Sequence, residues 1–252
     1  MSTAVRRRER AAELDRSVID ETLVSSLDSL DDAENYRRWI IDLLEAGLEG
    51  PILEVGAGHG TLTELLAERG AVHAVEPSGH ACRLLTDRFA DDPRIQVTRG
   101  VIDDVAPQAA YASAVMINVL EHIDDDVRAL REIRQRLLPG GHLAIWVPAF
   151  EMLYSPFDRR LGHYRRYRRR ELERVVGQAG FVVETCHYAN LPGWFSWLII
   201  ARWFRQEPTG GALVDVFDRV VVPIVRFVEA RIRPPFGQSL VVIARKPLHV
   251  EG

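Results

Sequence analysis

ILEVGAGHGTLTELLAERGAVHAVEPSG, residues Ile52 to Gly79, holds two apolar runs around a helical pattern, with glycines at 56, 58 and 60 between the first run and the helix. The second run stops on an acid, Glu76. Glycine costs backbone entropy on folding, so three at alternate positions after a strand imply that something comes very close to that backbone. A glycine-rich turn between a strand and a helix lets main-chain amides and the positive helix end meet a ligand. The common dinucleotide fingerprint is G-x-G-x-x-G. This loop reads G-x-G-x-G instead, with Glu54 before it and Glu76 closing the next strand.

Working outward from this loop, strand and helix patterns alternate. ILEV is followed by a helix in TLTELLAER, a strand in AVHAVE, a helix in HACRLLTDRF and a strand in RIQVTRG. Then come a strand in SAVMINVL, a helix in DDVRALREIRQRLL, a turn at PGG and a strand in HLAIWVP. Such alternation implies a parallel sheet covered by helices on both faces. Residues 4–47 read as mostly helical, with a charged first helix, an acidic break at DSLDDAEN and an apolar-periodic helix from Tyr36 to Leu44, and this segment looks like a lid on, or approach to, the main domain. After Phe150 the chain turns irregular and aromatic, and YRRYRRRELERVVGQAG opens a basic helix. Strands FVVETCHYA and QSLVVIARK flank an insertion rich in Trp, Val and Pro. The expected domains are therefore 1–47, a helical lid, and 48–252, with insertions at about 150–170 and 191–236.

Composition narrows the partners. The 252 residues are 47% hydrophobic and 27% charged, enough for one large α/β domain with a small appendage. A formal net charge of -4 argues against a general nucleic-acid binder, which needs excess positive charge. The only cysteines, Cys82 and Cys186, form no Cys-x-x-Cys pair, and the polar start MSTAVRRRERAAELDRS has no apolar signal region. A cytoplasmic location is the expectation. LPGWFSWLIIARWF is too short and too charged for a membrane span.

With Glu54, the G-x-G-x-G loop and Glu76 in hand, the chain resembles the class I S-adenosylmethionine-dependent methyltransferases. The match continues through NVLEHIDD and LLPGGHLAIWVP, covering Pro51 to Pro148. The resemblance implies a Rossmann-like, seven-stranded, mostly parallel sheet, with S-adenosylmethionine at the carboxyl ends of the strands. It implies cofactor contacts at Glu54, Gly56, Ala57, Gly58, Gly60, Glu76, Pro77, Ile102, Asp103, Asn118 and Val119. Glu76 would accept hydrogen bonds from two ribose hydroxyls. Val101 stands where many members carry an adenine-binding acid, leaving Asp103 or the Ile102 main chain for that contact.

An alcohol acceptor needs its proton taken, and histidine titrates near working pH. His122, after the fourth strand, is the first candidate for the base, and His163 in LGHYRRYRRRE the second. NVLEH also resembles the E-x-x-E-H ligand motif of metal-dependent O-methyltransferases, with Asn118 in place of the first Glu. On that alternative Glu121, His122 and His163 would hold Mg2+. HYRRYRRRE reads either as a solvated helix start or as acceptor-binding residues: Arg165, Arg166 and Tyr164, with Tyr154 and Trp194 nearby. LGHYRRY after VPA looks like sugar O-methyltransferases of glycan and natural-product pathways, so the expected acceptor is a sugar or oligosaccharide hydroxyl. A lipid or isoprenoid acceptor, a non-catalytic cofactor-binding module and a homodimer contact at the aromatic insertion are the other expectations.

Overall fold

A strand buried on both faces reads as a continuous apolar run, and β1 (Ile52–Val55) is buried along its whole length at the middle of a seven-stranded sheet. The computed structural model describes residues 31–108, 110–199 and 215–248. The remaining strands are β2 (Val72–Glu76), β3 (Ile95–Arg99), β4 (Tyr111–Ile117), β5 (Leu137–Pro148), β6 (Val182–Ala189) and β7 (Ser239–Arg245). Their order is β3-β2-β1-β4-β5-β7-β6. β1 to β5 pair in parallel, and β7 enters antiparallel between β5 and β6. The order reverses between β1 and β4, which opens a crevice beyond the carboxyl ends of those strands.

Side chains alternate across a strand, and β5 shows what this does. Leu143, Ile145 and Val147 join one apolar cluster, and Ala144 and Trp146 the other. α4 (Asp126–Arg136) and α6 (Arg169–Gln178) cover the first face through Leu130, Ile133, Leu172 and Val176. On the second face lie α1 (Glu34–Leu44), α2 (Thr63–Ala67), α3 (Gly79–Arg88) and α8 (Val222–Glu229). The short helix α5 (Pro156–Arg160) and α7 (Leu191–Ile199) stand over the crevice end.

In the described part of residues 1–47, α1 packs its apolar face onto the sheet. Trp39, Ile40, Ile41 and Leu44 are at most 1% exposed, and the Trp39 ring meets Trp146 of β5 edge-on at 6.2 Å. Burying each such side chain contributes about 1.5–3 kcal/mol. Ala33 offers no side-chain cap for the first amides of α1. Asp218, far along the chain, supplies one: its carboxylate accepts from the Asn35 and Tyr36 amides at 3.2 and 2.8 Å. The charged first helix expected before residue 31 lies outside the described residues.

Two expectations change. PGG (139–141) is not a turn before β5 but part of it, with pairing to β4 that shifts register after Tyr111. The basic helix begins at Arg169 rather than Tyr164, because residues 164–168 are not helical and Tyr167 is wholly buried, forming an isolated bridge to Ala149.

Candidate active site

The loop after β1 answers why the chain places glycine there. Gly56 and Gly60 take φ of 74° and 95°, the left-handed region that favours glycine. A Cβ on Gly56 would lie 2.4 Å from a Val119 methyl, and one on Gly60 would lie 2.5 Å from the Phe89 ring. These two glycines let the loop fit against its own protein. The Gly58 amide, in turn, donates to Glu76 Oε2 at 2.8 Å, and the Ser78 amide donates to Oε1 at 2.7 Å. Glu76 is 3% exposed, and main-chain donors fix its carboxylate at the mouth of the loop.

Behind the loop, Glu54 is buried and receives the Thr63 hydroxyl at 2.7 Å. Burial pushes its pKa up to about 8, against the lowering effect of that hydrogen bond. Beside it Asn118 ends β4 with φ of 52°, its amide bonded to the Trp146 carbonyl. Glu54, Gly56, Ala57, Gly58, Glu76, Pro77, Ile102, Asp103, Asn118 and Val119 all line one cavity of about 990 Å³. Gly60 stands outside its lining. Asp103 is tied to Arg128 at 2.8 Å across the cavity rim.

The other end of the same cavity is lined by His122, Phe157, Leu161, His163, Arg166 and Trp197. A short helical turn, Leu120–His122, places His122 after β4. The stretch after α5 is laced to it: the Tyr164 amide donates to the Glu121 carbonyl and the His163 amide to the Asp158 carbonyl. The two imidazoles therefore meet edge to face, with ring centres 4.5 Å apart. Their surroundings differ. Burial, with His163 adjacent, lowers the His122 pKa to about 3, so this ring stays neutral. His163 Nδ1 lies 2.9 Å from Asp158 Oδ1.

Asp158 is wholly buried at the centre of a small network. Its carboxylate accepts from Arg166 Nε at 2.7 Å and from the Ser155 amide and hydroxyl, each at 2.8 Å. Burial alone would raise its pKa; the His163 hydrogen bond, the Arg166 charge and Ser155 instead hold it well below the usual carboxylate range. An ionised carboxylate only accepts, so His163 Nδ1 carries the proton of this hydrogen bond. Arg166 is 4% exposed, its guanidinium lies 4.9 Å from the Trp197 ring centre, and Nη1 has no hydrogen-bond partner.

Of the residues expected to bind the acceptor, only Arg166 lines the cavity. Tyr154 donates its hydroxyl to the His163 carbonyl and so supports the loop. Arg165 is held by Asp126 and the Asp124 carbonyl, and Tyr164 is 58% exposed. Trp194 packs on Phe195 and Phe236. Asp158 and Phe157 are the residues that the sequence did not point to, whereas Trp197, in the aromatic insertion expected to form an acceptor wall or a dimer contact, lines the cavity. The spacing D-x-x-x-x-H was the only signal for Asp158.

Glu121, His122 and His163 do converge, with ligand atoms within 4.8 Å of one another. The set does not fit Mg2+. That ion takes oxygen ligands and keeps its waters, whereas this cluster offers two imidazoles and one carboxylate. The carboxylate is fully buried, both its oxygens lack hydrogen-bond partners, and burial pushes its pKa up to about 8. Arg166 already places a positive charge beside it. No step of the chemistry below is routed through Mg2+.

A methyltransferase-domain family model matches residues 30–185. An uncharacterised methyltransferase of Mycobacterium tuberculosis is 30% identical over 147 residues, 58% of this chain and 54% of that protein. A transposon-borne 37.1 kDa protein of Streptomyces fradiae is 29% identical over 183 residues, 64% of this chain and 53% of that protein. The chain thus spans about half the length of these curated relatives. Among solved structures, the 1,6-didemethyltoxoflavin N1-methyltransferase of Burkholderia thailandensis, bound to S-adenosylhomocysteine, aligns with a TM-score of 0.60 at 19% identity, covering 95% of this chain and 90% of that one. A methyltransferase of Thermotoga maritima gives 0.60 at 17% identity over 91% and 98%. At such identities these two speak for the fold. The family model spans well over half the chain, and the protein belongs to the methyltransferase-domain family.

Proposed function

We propose that the protein is an S-adenosylmethionine-dependent O-methyltransferase of a small molecule, with a sugar or oligosaccharide as the acceptor class. Bound S-adenosylmethionine would supply a methyl group activated on a sulfonium. The observation that carries the reading is one cavity with two equipped ends. The glycine loop and Glu76 line one end, and His163 backed by buried Asp158 lines the other.

The loop at Gly56 and Gly58 and the carboxylate of Glu76 would hold the cofactor, with Asn118 and Val119 closing the floor. His163 Nε2 takes the proton of the acceptor hydroxyl as the oxygen attacks. Asp158 keeps the imidazole in the correct tautomer and offsets the imidazolium that forms, as a carboxylate behind histidine does in hydrolytic triads. His122, held neutral, borders the base without competing for the proton. A neutral amine attacks through its own lone pair, whereas a hydroxyl must lose its proton as its oxygen attacks, and the dyad would serve that loss.

Trp197, anchored by its indole N–H to the Leu153 carbonyl at 3.0 Å, and Phe157 give a sugar ring apolar faces to lie against. Arg166 offers buried donors to its hydroxyls. Transfer of labelled methyl groups into a panel of sugars, phenols and hydroxylated lipids, with products identified by mass spectrometry, tests the assignment. O-methylated sugar is the expected product. Only N-methylated products would overturn the hydroxyl reading, and cofactor binding without any product would mark a non-catalytic module.

A further inference from the structure

The last helical segment turns its acids inward and its apolar residues outward. A π-helical turn, Phe217–Val221, runs into α8. Its inward side buries Asp218, Val222 and Val225. Its outward side leaves Val216, Val220, Ile224, Phe227, Val228 and Ile232 between 47% and 69% exposed. Scattered apolar residues on a surface need no explanation, but five of these six lie on one helical stretch at spacings of three and four, with Ile232 just past its end, and form a stripe.

The charges sort the same way. Asp218 caps α1, and Glu229 accepts from the Asn190 and Leu191 amides at 3.0 Å each. Arg219, Arg226, Arg231 and Arg233 are exposed alongside the stripe, with Arg231 stacked on Phe227 at 3.7 Å and Arg226 paired with Asp42. Asp215 is the only exposed acid from 215 to 233. A second copy of the chain on this face would set arginines against arginines across a two-fold contact. An anionic lipid surface complements both the apolar stripe and its basic flanks.

We propose that this face docks on an anionic bilayer, with the segment lying in the headgroup layer and the stripe Val216 to Ile232 turned into it. No helix among the described residues is long and apolar enough to cross a membrane, and interspersed arginines suit the interface rather than the hydrocarbon. Glu229 ties this segment to α7, whose Trp197 lines the cavity. The inference stands apart from the methyl-transfer reading, since it concerns a face that the cavity does not include.

Co-sedimentation of the full chain with vesicles tests it, using phosphatidylcholine alone and an equal mixture with phosphatidylglycerol. The chain should pellet with the anionic vesicles only, and added salt should release it. Val220→Asp together with Ile224→Asp should weaken binding at least tenfold, and Arg219→Ala about fivefold. Folding by circular dichroism and cofactor affinity by calorimetry should stay unchanged in these exposed-site variants. No pelleting of the parent chain, or equal pelleting of parent and double-Asp variant, would overturn the proposal. So would a dimer seen by light scattering that Ile224→Asp dissociates, because a second copy then covers the face.

Discussion

Replacing Asp158 by Asn keeps the shape of the side chain and removes its charge. The carboxylate accepts four hydrogen bonds, from His163 Nδ1, Arg166 Nε, the Ser155 amide and the Ser155 hydroxyl, at 2.7 to 2.9 Å. An amide offers one oxygen and two donors, so it cannot serve all four. Arg166 would be left buried beside a neutral group, and breaking a buried ion pair from one side costs about 3–5 kcal/mol of stability. If His163 is the base, kcat should also fall by about 10²–10⁴ per folded molecule, with KM changed far less. Ser155→Ala separates the two effects. It removes one hydrogen bond from the same carboxylate, worth about 1 kcal/mol, while leaving the charge behind His163 in place. Urea titration gives the folded fraction of each variant, and steady-state kinetics its activity. Equal specific activities for Asp158→Asn and Ser155→Ala, once corrected to folded protein, would show that the dyad does no catalysis.

Glu76→Ala should weaken S-adenosylmethionine binding at least tenfold, since each charge-assisted hydrogen bond contributes about 1.5–3 kcal/mol; unchanged affinity by calorimetry would refute that placement. His122→Gln should leave kcat within about tenfold, because a ring whose pKa lies near 3 is a weak base; a loss beyond about 10² would make His122 the base instead. Glu54, with a folded pKa near 8 against 4.5 as the reference, holds a proton that the unfolded chain releases between those values. Its contribution to stability therefore falls as pH rises through that window, by on the order of a few kcal/mol. Glu54→Gln should flatten the pH dependence seen by urea unfolding between about pH 5 and about pH 8, and an unaltered slope would contradict the assignment.

Much of the cofactor end was legible because its signals are local. The apolar run Ile52–Val55 coincides with β1, and the glycines and Glu76 fall at strand ends where main-chain geometry requires them. Their reason was only half legible. Gly56 and Gly60 make room for Val119 and Phe89, which distance in sequence hides. The packing of α1 was half legible for a similar cause: Trp39, Ile40, Ile41 and Leu44 declare an apolar face without naming Trp146 as what covers it. The arginine run divides between the cavity, which Arg166 lines, and the exposed Arg168 to Arg170. Asp126 claims Arg165 and Asp158 claims Arg166, and neither acid stands out until the fold brings it there. Nor does periodicity reveal that Asp158, in the five-residue helix α5, turns back onto His163.

The central claim is that His163 removes a proton from an acceptor hydroxyl in the cavity that Glu76 shares. His163→Ala, assayed at saturating S-adenosylmethionine with the best acceptor from the panel, tests it most directly. The account predicts that cofactor affinity stays within about twofold while O-methyl product formation falls by about 10²–10⁴. Product formation at the parental rate in that variant would contradict it.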